Sequence, residues 1–312
     1  MNVIVIGANG QLGSDVVSAF AESQDNVGSL THAEIEISKL ESVRTCLEKC
    51  SPSIVVNTAA MHHVENCERE PANAYAVNAI GVRNLALVTR DLGATLIHVS
   101  TDYVFDGRKD VPYVEDDPPL PLNVYGNSKL AGEHHARTIN PRHFVLRTSA
   151  LYGKHPCRAK GGRNFVDLML ELARTRGRVR VVDDEFVSPT PTVDLARQIV
   201  CLSRSEAFGL YHATSDESCS WYEFAREIFL LTDVQVKLEA VGPGEFPAKT
   251  PRPRYSVLEN RGLRNIGLNL LASWKVGLQR YLGESPIAAP AALEFGIPGR
   301  AANEKLEARG KL

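Results

Sequence analysis

The stretch Met1-Asn-Val-Ile-Val-Ile-Gly7-Ala-Asn-Gly10-Gln-Leu-Gly13 decides the fold of this 312-residue chain. Residues Val3–Ile6 have the unbroken apolar, β-branched character of a buried strand, and three glycines follow where a helix is predicted to begin. Glycine lets the turn close tightly and lets backbone N–H groups approach a pyrophosphate at the helix N-terminus. In this context, G-x-x-G-x-x-G indicates a dinucleotide-binding loop, with a ligand-free strand–helix turn as the alternative.

Short apolar runs alternate with helical stretches through the first half of the chain. The predicted strands are Val3–Ile6, Val27–Leu30, Ile54–Val56, Leu96–Val99 and Phe144–Arg147. The predicted crossover helices are Gln11–Ala21, Leu40–Lys49 and Pro71–Leu92. Successive β-α units of this kind predict an α/β fold with a doubly wound parallel sheet, of the Rossmann-like type.

After residue 150 this rhythm breaks, and a smaller, discontinuous C-terminal substrate domain is predicted. We assign 1–148 to the dinucleotide-binding domain, with 184–205 and about 255–282 packing back onto it. Residues 149–183 and 206–254 then form the substrate domain. The segment 284–312 is rich in Ala, Pro and charged residues with little amphipathic pattern, so we expect a loosely held tail.

Composition excludes several classes of function. A net charge of −2 leaves no basic field for nucleic acid, and 44% hydrophobic residues is ordinary globular usage. No apolar run approaches the ~20 residues of a membrane span, and the chain opens on a strand. We therefore expect a cytoplasmic protein with no nucleic-acid or membrane partner. The six cysteines show no C-x-x-C pair and no zinc spacing, so no metal site is predicted.

Tyr125 and Lys129 are four residues apart in a predicted helix, which places both side chains on one face. A phenol titrates near pKa ~10, and a neighbouring ammonium would stabilise the phenolate and lower that pKa. Such a pair can act as a general acid or base. The same spacing also arises by chance on solvated helix surfaces, so the pair alone decides nothing.

In dinucleotide-binding folds, residues at the end of the second strand commonly contact the adenosine ribose. An acidic residue there favours a free 2′-hydroxyl, and an arginine favours a 2′-phosphate. Residues 29–32 offer neither, while Thr31 and His32 could contact a phosphate. We therefore favour NADP(H) as the cofactor, with NAD(H) possible.

An ordered series of motifs runs over nearly the whole chain, to about residue 282. The series comprises the Gly7–Gly13 loop, Val55–Ala60, Val77–Ala79, Ser100–Gly107, Leu122–Glu133, Leu146–Ser149, Gly209–His212, Arg252-Pro253 and Trp274–Gly277. With these motifs the chain resembles the extended short-chain dehydrogenases/reductases, and within them the dTDP-4-dehydrorhamnose reductase family. The resemblance implies NAD(P)H-dependent reduction of the 4-keto group of a nucleotide-activated 6-deoxyhexose, by a monomer or homodimer.

The resemblance also implies roles for individual residues. Tyr125 would be the general acid, Lys129 would lower its pKa and hold the nicotinamide ribose, and Thr101 would polarise the substrate carbonyl. The predicted substrate contacts are Thr101, Asp102, Ala150 and Arg252. The predicted cofactor contacts are Gly7, Gly10, Gln11, Leu12, Gly13, Thr31, His32, Ala60, Met61, His62, Asn78, Tyr125 and Lys129.

Three positions depart from related patterns. Tyr103 stands where sugar 4,6-dehydratases carry a glutamate, which favours simple reduction over dehydration. Ala150 replaces an aromatic residue, usually Trp, of the rhamnose-forming relatives, so we expect a wider sugar pocket and leave the sugar open. Some relatives bridge a metal with acidic residues; Asp15 could supply one, but Val193 stands at another such position, and no metal is predicted.

Two alternatives stay open. Arg252 and Arg254, in a proline-fixed loop, are candidates to bind the substrate diphosphate, whereas the basic residues Arg158, Lys160, Arg163 and those of 174–180 fit either that role or a solvated surface. The second function hypothesis is a non-catalytic dinucleotide-binding regulatory subunit resembling the methionine adenosyltransferase regulatory chain. The intact Thr101, Tyr125 and Lys129 favour the enzyme, and Ala150 favours the subunit.

Overall fold

The structure is a computed structural model and describes residues 1–157, 161–242, 245 and 250–283. The predicted tail at 284–312 lies outside the described residues. The strands are β1 Asn2–Ile6, β2 Asn26–Leu30, β3 Ile54–Asn57, β4 Thr95–Thr101, β5 His143–Thr148, β6 Leu151–Tyr152, β7 Arg178–Val182, β8 Phe186–Val187, β9 Thr190–Pro191, β10 Gly209–His212, β11 Cys219–Ser220 and β12 Lys237–Val241. The helices are α1 Gln11–Glu22, α2 Leu40–Cys50, α3 Val64–Arg69, α4 Pro71–Tyr75, α5 Val82–Asp91, α6 Val124–Ile139, α7 Phe165–Arg176, α8 Thr192–Ser203, α9 Trp221–Leu231, α10 Arg261–Asn265 and α11 Trp274–Leu282.

Six parallel strands form the main sheet, in the order β2-β1-β3-β4-β5-β10. This topology confirms the predicted α/β fold class. In the register, Ile6 of β1 lies opposite Asn57 of β3, and Thr101 of β4 lies opposite Thr148 of β5. The residues that follow these strands therefore meet at one edge of the sheet, where ligands bind in doubly wound folds.

Alternation along β1 builds a core on each face of the sheet. Val3 and Val5 belong to the core shared with α1 and α8, whereas Ile4 and Ile6 belong to the core shared with α2 and α5. Full burial of a side chain of this kind contributes roughly 1.5–3 kcal/mol relative to leaving it exposed. The packed layers on both faces of the sheet hold β1 in place, and with it the glycine loop that follows Ile6.

The predicted domain boundaries differ from the structure at β10 and at α11, whose Trp274 and Leu278 lie in the core of the smaller unit. Residues 206–254 are predicted to lie in the substrate domain, yet Gly209–His212 pairs with β5 and completes the main sheet. Each of its residues pairs with one 65 positions earlier in the chain, so the local sequence pattern does not reveal the pairing. The smaller unit is built from α7, α9, β7 and β12 around its own apolar core, which includes Val166, Phe224 and Ile228.

The single predicted helix Pro71–Leu92 is divided into three segments. A π-helical segment, Ala76–Gly81, joins α4 to α5. Here the backbone of the π-helical segment approaches α6, since a methyl group at Gly132 would lie 2.2 Å from the carbonyl oxygen of Asn78. Single π-helical turns within α-helices are frequent at functional sites, and this one faces the helix that carries Tyr125.

Candidate active site

The glycine loop between β1 and α1 excludes side chains. A methyl group at Gly13 would lie 2.1 Å from the carbonyl oxygen of Gly7. One at Gly7, where φ is +79°, would lie 2.8 Å from Thr58 Oγ1. Helix α1 begins after Gly10, which has no side chain to cap its first N–H groups. Because uncapped helix N-termini attract anions, the loop fits the pyrophosphate of a dinucleotide.

Gln11 and Leu12 differ in what they can offer a cofactor. The Leu12 side chain is buried in the core, so only its backbone N–H can face the pyrophosphate. The Gln11 amide donates to the carbonyl oxygens of Gly153 at 3.4 Å and His155 at 3.2 Å. Gln11 therefore ties the glycine loop to the segment that follows β6.

Thr31 and His32 directly follow β2, and each faces a carboxylate. The backbone N–H of Thr31 donates to Glu34 Oε2 at 2.7 Å, and the Thr31 hydroxyl donates to the same oxygen. His32 is largely exposed, with Nε2 at 3.6 Å from Glu36 Oε2. The hydrogen bonds from Thr31 hold the pKa of Glu34 below its ordinary value, so Glu34 is ionised at neutral pH. A negative charge thus lies beside the position predicted to read the 2′ group.

Asn78 holds the loop that follows β3. Its Oδ1 accepts from the Met61 N–H at 2.9 Å, and its Nδ2 donates to the Met61 carbonyl at 2.8 Å and to Ser128 Oγ at 3.0 Å. Ala60 and His62, on either side of Met61, are half-buried. Asn78 is only 1% exposed. The buried amide of Asn78 therefore positions the loop, and its predicted cofactor contact stays a prediction.

Helix α6 begins directly against the end of β4. The Asn123 side chain caps it by accepting from the Gly126 N–H at 2.8 Å. A methyl group at Gly126 would lie 2.2 Å from the carbonyl oxygen of Tyr103. This close approach places Tyr125 beside the 3₁₀ turn at Asp102–Val104, with the Tyr103 and Tyr125 rings edge-on at 5.8 Å between centroids.

Tyr125 and Thr101 come together at this edge of the sheet. Burial raises the pKa of the Tyr125 phenol above its ordinary value, and hydrogen bonding with the Thr101 side chain offsets part of that rise. The Asp102 carboxylate raises the same pKa further. The phenol is therefore protonated at neutral pH and able to donate its proton, but it stays a weak acid until a positive charge stabilises the phenolate.

The amino group of Lys129 contacts β4 rather than the phenol. Its Nζ donates to the Val99 carbonyl at 2.6 Å and lies 3.3 Å from His98 Nε2. Burial lowers the pKa of Lys129 to about 8, and the Glu133 carboxylate opposes that change. These contacts direct the amino group toward β4, and the predicted lowering of the Tyr125 pKa by Lys129 stays a prediction.

Asp102 lies inside the fold instead of facing a sugar. One carboxylate oxygen accepts from Ser149 at 2.8 Å and Ser256 at 2.6 Å, and the other accepts from Thr101 at 3.1 Å. The residue is 4% exposed, and burial raises its pKa against the effect of these hydrogen bonds. Asp102 therefore joins β4 to two other segments, and its predicted contact with sugar hydroxyls stays a prediction.

A cavity of about 1260 Å³ opens beside Tyr103. Its lining includes Tyr103, Arg163, Arg180, Glu185, Trp221 and Arg252. Ligand pockets usually measure roughly 300–1,000 Å³, so this cavity has room for a molecule of nucleotide-sugar size.

The predicted arginines separate in the structure. Arg252 lines the cavity and pairs with Glu65 across it at 2.6 Å, whereas Arg254 is 69% exposed and lies 3.5 Å from Asp184. Arg163 and Arg180 also line the cavity. They pair with carboxylates, Arg163 with Glu171 and Arg180 with Glu245. Arg158 and Lys160 lie outside the described residues.

Ala150 follows β5 with a left-handed φ of +46°. Its carbonyl oxygen accepts from the Thr190 N–H at 3.4 Å. Within the described part of the chain, Ala150 is absent from the cavity lining. The predicted substrate contact of Ala150 stays a prediction.

No helix in the described ranges is long and apolar enough to cross a membrane. Across the same ranges, no three His, Cys, Asp or Glu side chains are grouped so that they could hold a metal ion. Asp15 instead faces His155, with 3.4 Å between Oδ1 and Nε2.

Sequence reasoning missed the buried ion pair beneath α6. Glu133 and Arg147 are 0% and 2% exposed and lie 2.7 Å apart, and Ser100 donates to Glu133 at 2.5 Å. A signal was available, because Glu133 lies four residues after Lys129 and so shares its inward face. Buried charges are tolerated only when paired in this way.

Comparison with known proteins places this site in a family. The family model described as the RmlD substrate binding domain matches residues 1–286. The chain belongs to this family. The match spans both the main sheet and the smaller unit, and it confirms the resemblance inferred from the motifs.

Individual relatives match over similar lengths. The Bacillus subtilis (strain 168) spore coat polysaccharide biosynthesis protein SpsK is 40% identical over 90% of this chain and 97% of its own length. A dTDP-4-keto-6-deoxy-D-glucose reductase of Streptomyces niveus is 38% identical over 88% of this chain and 94% of its own. The solved structure of dTDP-4-dehydrorhamnose reductase from Bacillus anthracis str. Ames, in complex with NADP, has a TM-score of 0.86 and 37% identity, covering 91% of this chain and 99% of that one.

Proposed function

We propose that this protein is an NAD(P)H-dependent oxidoreductase that reduces the 4-keto group of a nucleotide-activated 6-deoxyhexose. The observation that carries the proposal is the contact between Thr101 and Tyr125 beside Tyr103, a residue that lines a cavity of nucleotide-sugar size. Relatives named as dTDP-4-dehydrorhamnose and dTDP-4-keto-6-deoxy-D-glucose reductases support it.

The residues that would hold the dinucleotide are those of the glycine loop, with the uncapped start of α1 binding the pyrophosphate. When bound, the reduced nicotinamide supplies the hydride. The NADP named for the B. anthracis relative supports NADP(H) as cofactor. Ionised Glu34, beside Thr31, supports NAD(H) as a second cofactor.

Tyr125 donates the proton that completes the reduction. Its phenol is protonated at neutral pH and lies beside the Thr101 hydroxyl, which can polarise a carbonyl oxygen placed between them. Lys129, once charged, stabilises the phenolate that remains. Tyr103 in place of a carboxylate leaves this edge without the base that a dehydration would use.

Arg252 binds the diphosphate of the substrate from the wall of the cavity. Its guanidinium is held by Glu65 in the structure, and phosphate oxygens would accept the same charge-assisted hydrogen bonds. The short Ala150 side chain leaves the sugar identity open between rhamnose precursors and other 6-deoxy or amino hexoses.

The proposal includes a cytoplasmic location and a monomer or homodimer. A biosynthetic reductase that consumes NAD(P)H fits that compartment, and sedimentation of the purified protein measures the oligomeric state.

The test is the fall in NADPH or NADH absorbance when purified protein receives a dTDP-4-keto-6-deoxyhexose generated in situ. Turnover that depends on both the sugar and the protein supports the reductase. Tight cofactor binding without turnover of any nucleotide 4-ketosugar would favour the alternative, a non-catalytic regulatory subunit resembling the methionine adenosyltransferase regulatory chain.

A further inference from the structure

A chain of buried polar groups lies behind Lys129. Asn57 and His98 are both 0% exposed, and Lys129 is 2% exposed. Asn57 Nδ2 lies 3.1 Å from His98 Nδ1, and His98 Nε2 lies 3.3 Å from Lys129 Nζ. Lys129 Nζ in turn donates to the Val99 carbonyl at 2.6 Å. The reductase chemistry assigns no role to Asn57 or His98.

The orientation of Asn57 fixes the position of the proton on His98. Asn57 Oδ1 accepts from the Ala59 N–H at 3.1 Å, so its amide nitrogen faces His98. That nitrogen is a donor, and His98 Nδ1 must therefore accept. Burial holds the pKa of His98 well below its ordinary value, so the ring is neutral. Its single proton is then on Nε2, the atom that faces Lys129.

A charged Lys129 does not fit this series of buried hydrogen-bonding groups. An ammonium has three donors and no acceptor, so it would face the His98 Nε2–H donor to donor. If the ring proton were on Nδ1 instead, that N–H would face the Asn57 Nδ2 donor. If the Asn57 amide were then turned, its Nδ2 donor would face the Ala59 N–H donor. A neutral amine removes the conflict, because it accepts from His98 and donates to Val99. Unsatisfied buried polar groups cost free energy, so the neutral amine is favoured.

We propose that His98 is a positioning residue that favours the uncharged amine of Lys129 in the cofactor-free protein at alkaline pH, and that Lys129 then takes up a proton from solvent when the dinucleotide binds. The second half rests on the proposed function, in which a charged Lys129 stabilises the phenolate of Tyr125. The bond that forms is N–H on Lys129, and no oxidant or reductant is needed.

The charged groups around Lys129 set the pH range of the effect. Glu133 faces it from α6, His98 faces it from β4, and Arg147 of β5 is paired with Glu133. Burial lowers the Lys129 pKa to about 8 against the opposing Glu133. Because a lowered pKa leaves the amine neutral above that value, proton uptake on binding should be large at about pH 9 and small at about pH 7.

Two measurements on the wild-type protein test the free state. Imidazole ¹⁵N NMR should show the His98 proton on Nε2, and ¹³C NMR of the lysine Cε should show Lys129 titrating near pH 8, its signal identified by its loss in Lys129→Met. A Lys129 that stays charged to about pH 10, or a proton on His98 Nδ1, would overturn the proposal.

Calorimetry tests the coupling. NADPH is titrated into the protein in two buffers of different ionisation enthalpy, without a sugar, which gives the number of protons taken up. His98→Phe should raise the proton affinity of Lys129 by about tenfold or more and reduce the uptake, whereas His98→Gln, which keeps an N–H donor, should stay near wild type. Binding without uptake at about pH 9 would overturn the coupling. Failure of the folded wild type to bind NADPH would instead overturn the proposed function, while the NMR result would still decide the state of Lys129.

Discussion

At the scale of single residues, the carboxylates near Thr31 and His32 bear on cofactor choice. Glu34 accepts two hydrogen bonds from Thr31 and is ionised, and Glu36 lies near His32. A 2′-phosphate bound at Thr31 would be repelled by this charge and would compete with Glu34 for the Thr31 donors.

Glu34→Gln is therefore expected to raise the preference for NADPH over NADH. Because the group is exposed and screened, the ratio of the two kcat/KM values should change by roughly two- to fivefold. The matched control is Glu41→Gln, another exposed carboxylate, in the first turn of α2. An unchanged ratio in Glu34→Gln would mean that Thr31 does not read the 2′ position.

Residue types were predictable from the sequence, whereas their hydrogen-bond partners were not. The spacing of Tyr125 and Lys129 predicted a shared helix face, and both do lie on α6. Asp102 and Asn78 were expected at the ligands, but Asp102 meets Ser256 and Asn78 meets Met61, residues 154 and 17 positions away. Contacts between distant segments depend on the packed fold, and no local pattern encodes them.

At the scale of elements, the glycine loop depends on close backbone contact. Gly13→Ala would place a methyl group 2.1 Å from the Gly7 carbonyl oxygen. We expect the free energy of unfolding to fall by about 1–3 kcal/mol and NADPH binding to be lost or greatly weakened, as measured by denaturation and calorimetry.

Gly10→Ala is the matched control in the same loop. Its methyl group would lie 3.2 Å from the same oxygen, and Gly10 has an ordinary φ of −86°. Its effects should be clearly smaller. Equal effects of the two substitutions would show that steric contact with Gly7 does not explain the requirement for glycine.

The π-helical segment carries a second prediction, at Asn78. Asn78→Ala removes three hydrogen bonds to Met61 and Ser128. We expect a loss of stability of about 1–3 kcal/mol, because buried partners are left unsatisfied, and weaker NADPH binding, because the loop of residues 60–62 is released.

Asn84→Ala separates these two effects. Asn84 is also buried and donates to the Ile37 carbonyl at 2.9 Å, away from the loop. It should lose stability in thermal denaturation while keeping its NADPH affinity at a temperature where it is folded. If both variants lose affinity equally, Asn78 has no special role in positioning the loop.

The spacing of apolar residues predicted which segments are helices and which are strands, but it did not predict where a helix is interrupted. The β-α alternation in the first half predicted β1 to β5 closely, since each strand is a short apolar run between helical stretches. The helix predicted at Pro71–Leu92 is in fact interrupted by the π-helical segment. The segment lies against Gly132 on α6, a tertiary contact that the periodicity of one helix does not contain.

At the scale of the whole molecule, the cavity lies where α3, the segment at 250–252 and the smaller unit meet. Arg252→Gln should raise the KM for the nucleotide sugar roughly ten- to a hundredfold, because a charge-assisted hydrogen bond usually contributes about that much to binding. NADPH binding should stay unchanged.

Arg254→Gln is the control for this prediction. It removes the same charge two residues away, from a side chain that is 69% exposed and absent from the described cavity lining. Its KM should stay close to wild type. A larger effect at Arg254 than at Arg252 would place the diphosphate on the outside of this loop.

The assembly of the two units was only partly predictable. A smaller unit after residue 150 follows from the change of pattern, but β10 belongs to the main sheet although it lies within 206–254. Four residues of strand carry too little pattern to reveal which sheet they join. The pairing depends on the free edge of β5, a property of the folded molecule.

The most direct test of the central claim compares the rates of wild type, Tyr125→Phe and Tyr103→Phe with NADPH and an in situ dTDP-4-keto-6-deoxyhexose. Tyr125→Phe should lose roughly 10²–10⁴ in kcat, because it lacks the general acid, while binding NADPH normally. Tyr103→Phe removes a neighbouring phenol from the same site and should lose far less. A Tyr125→Phe variant that keeps most of its rate, or a greater loss at Tyr103, would contradict the account.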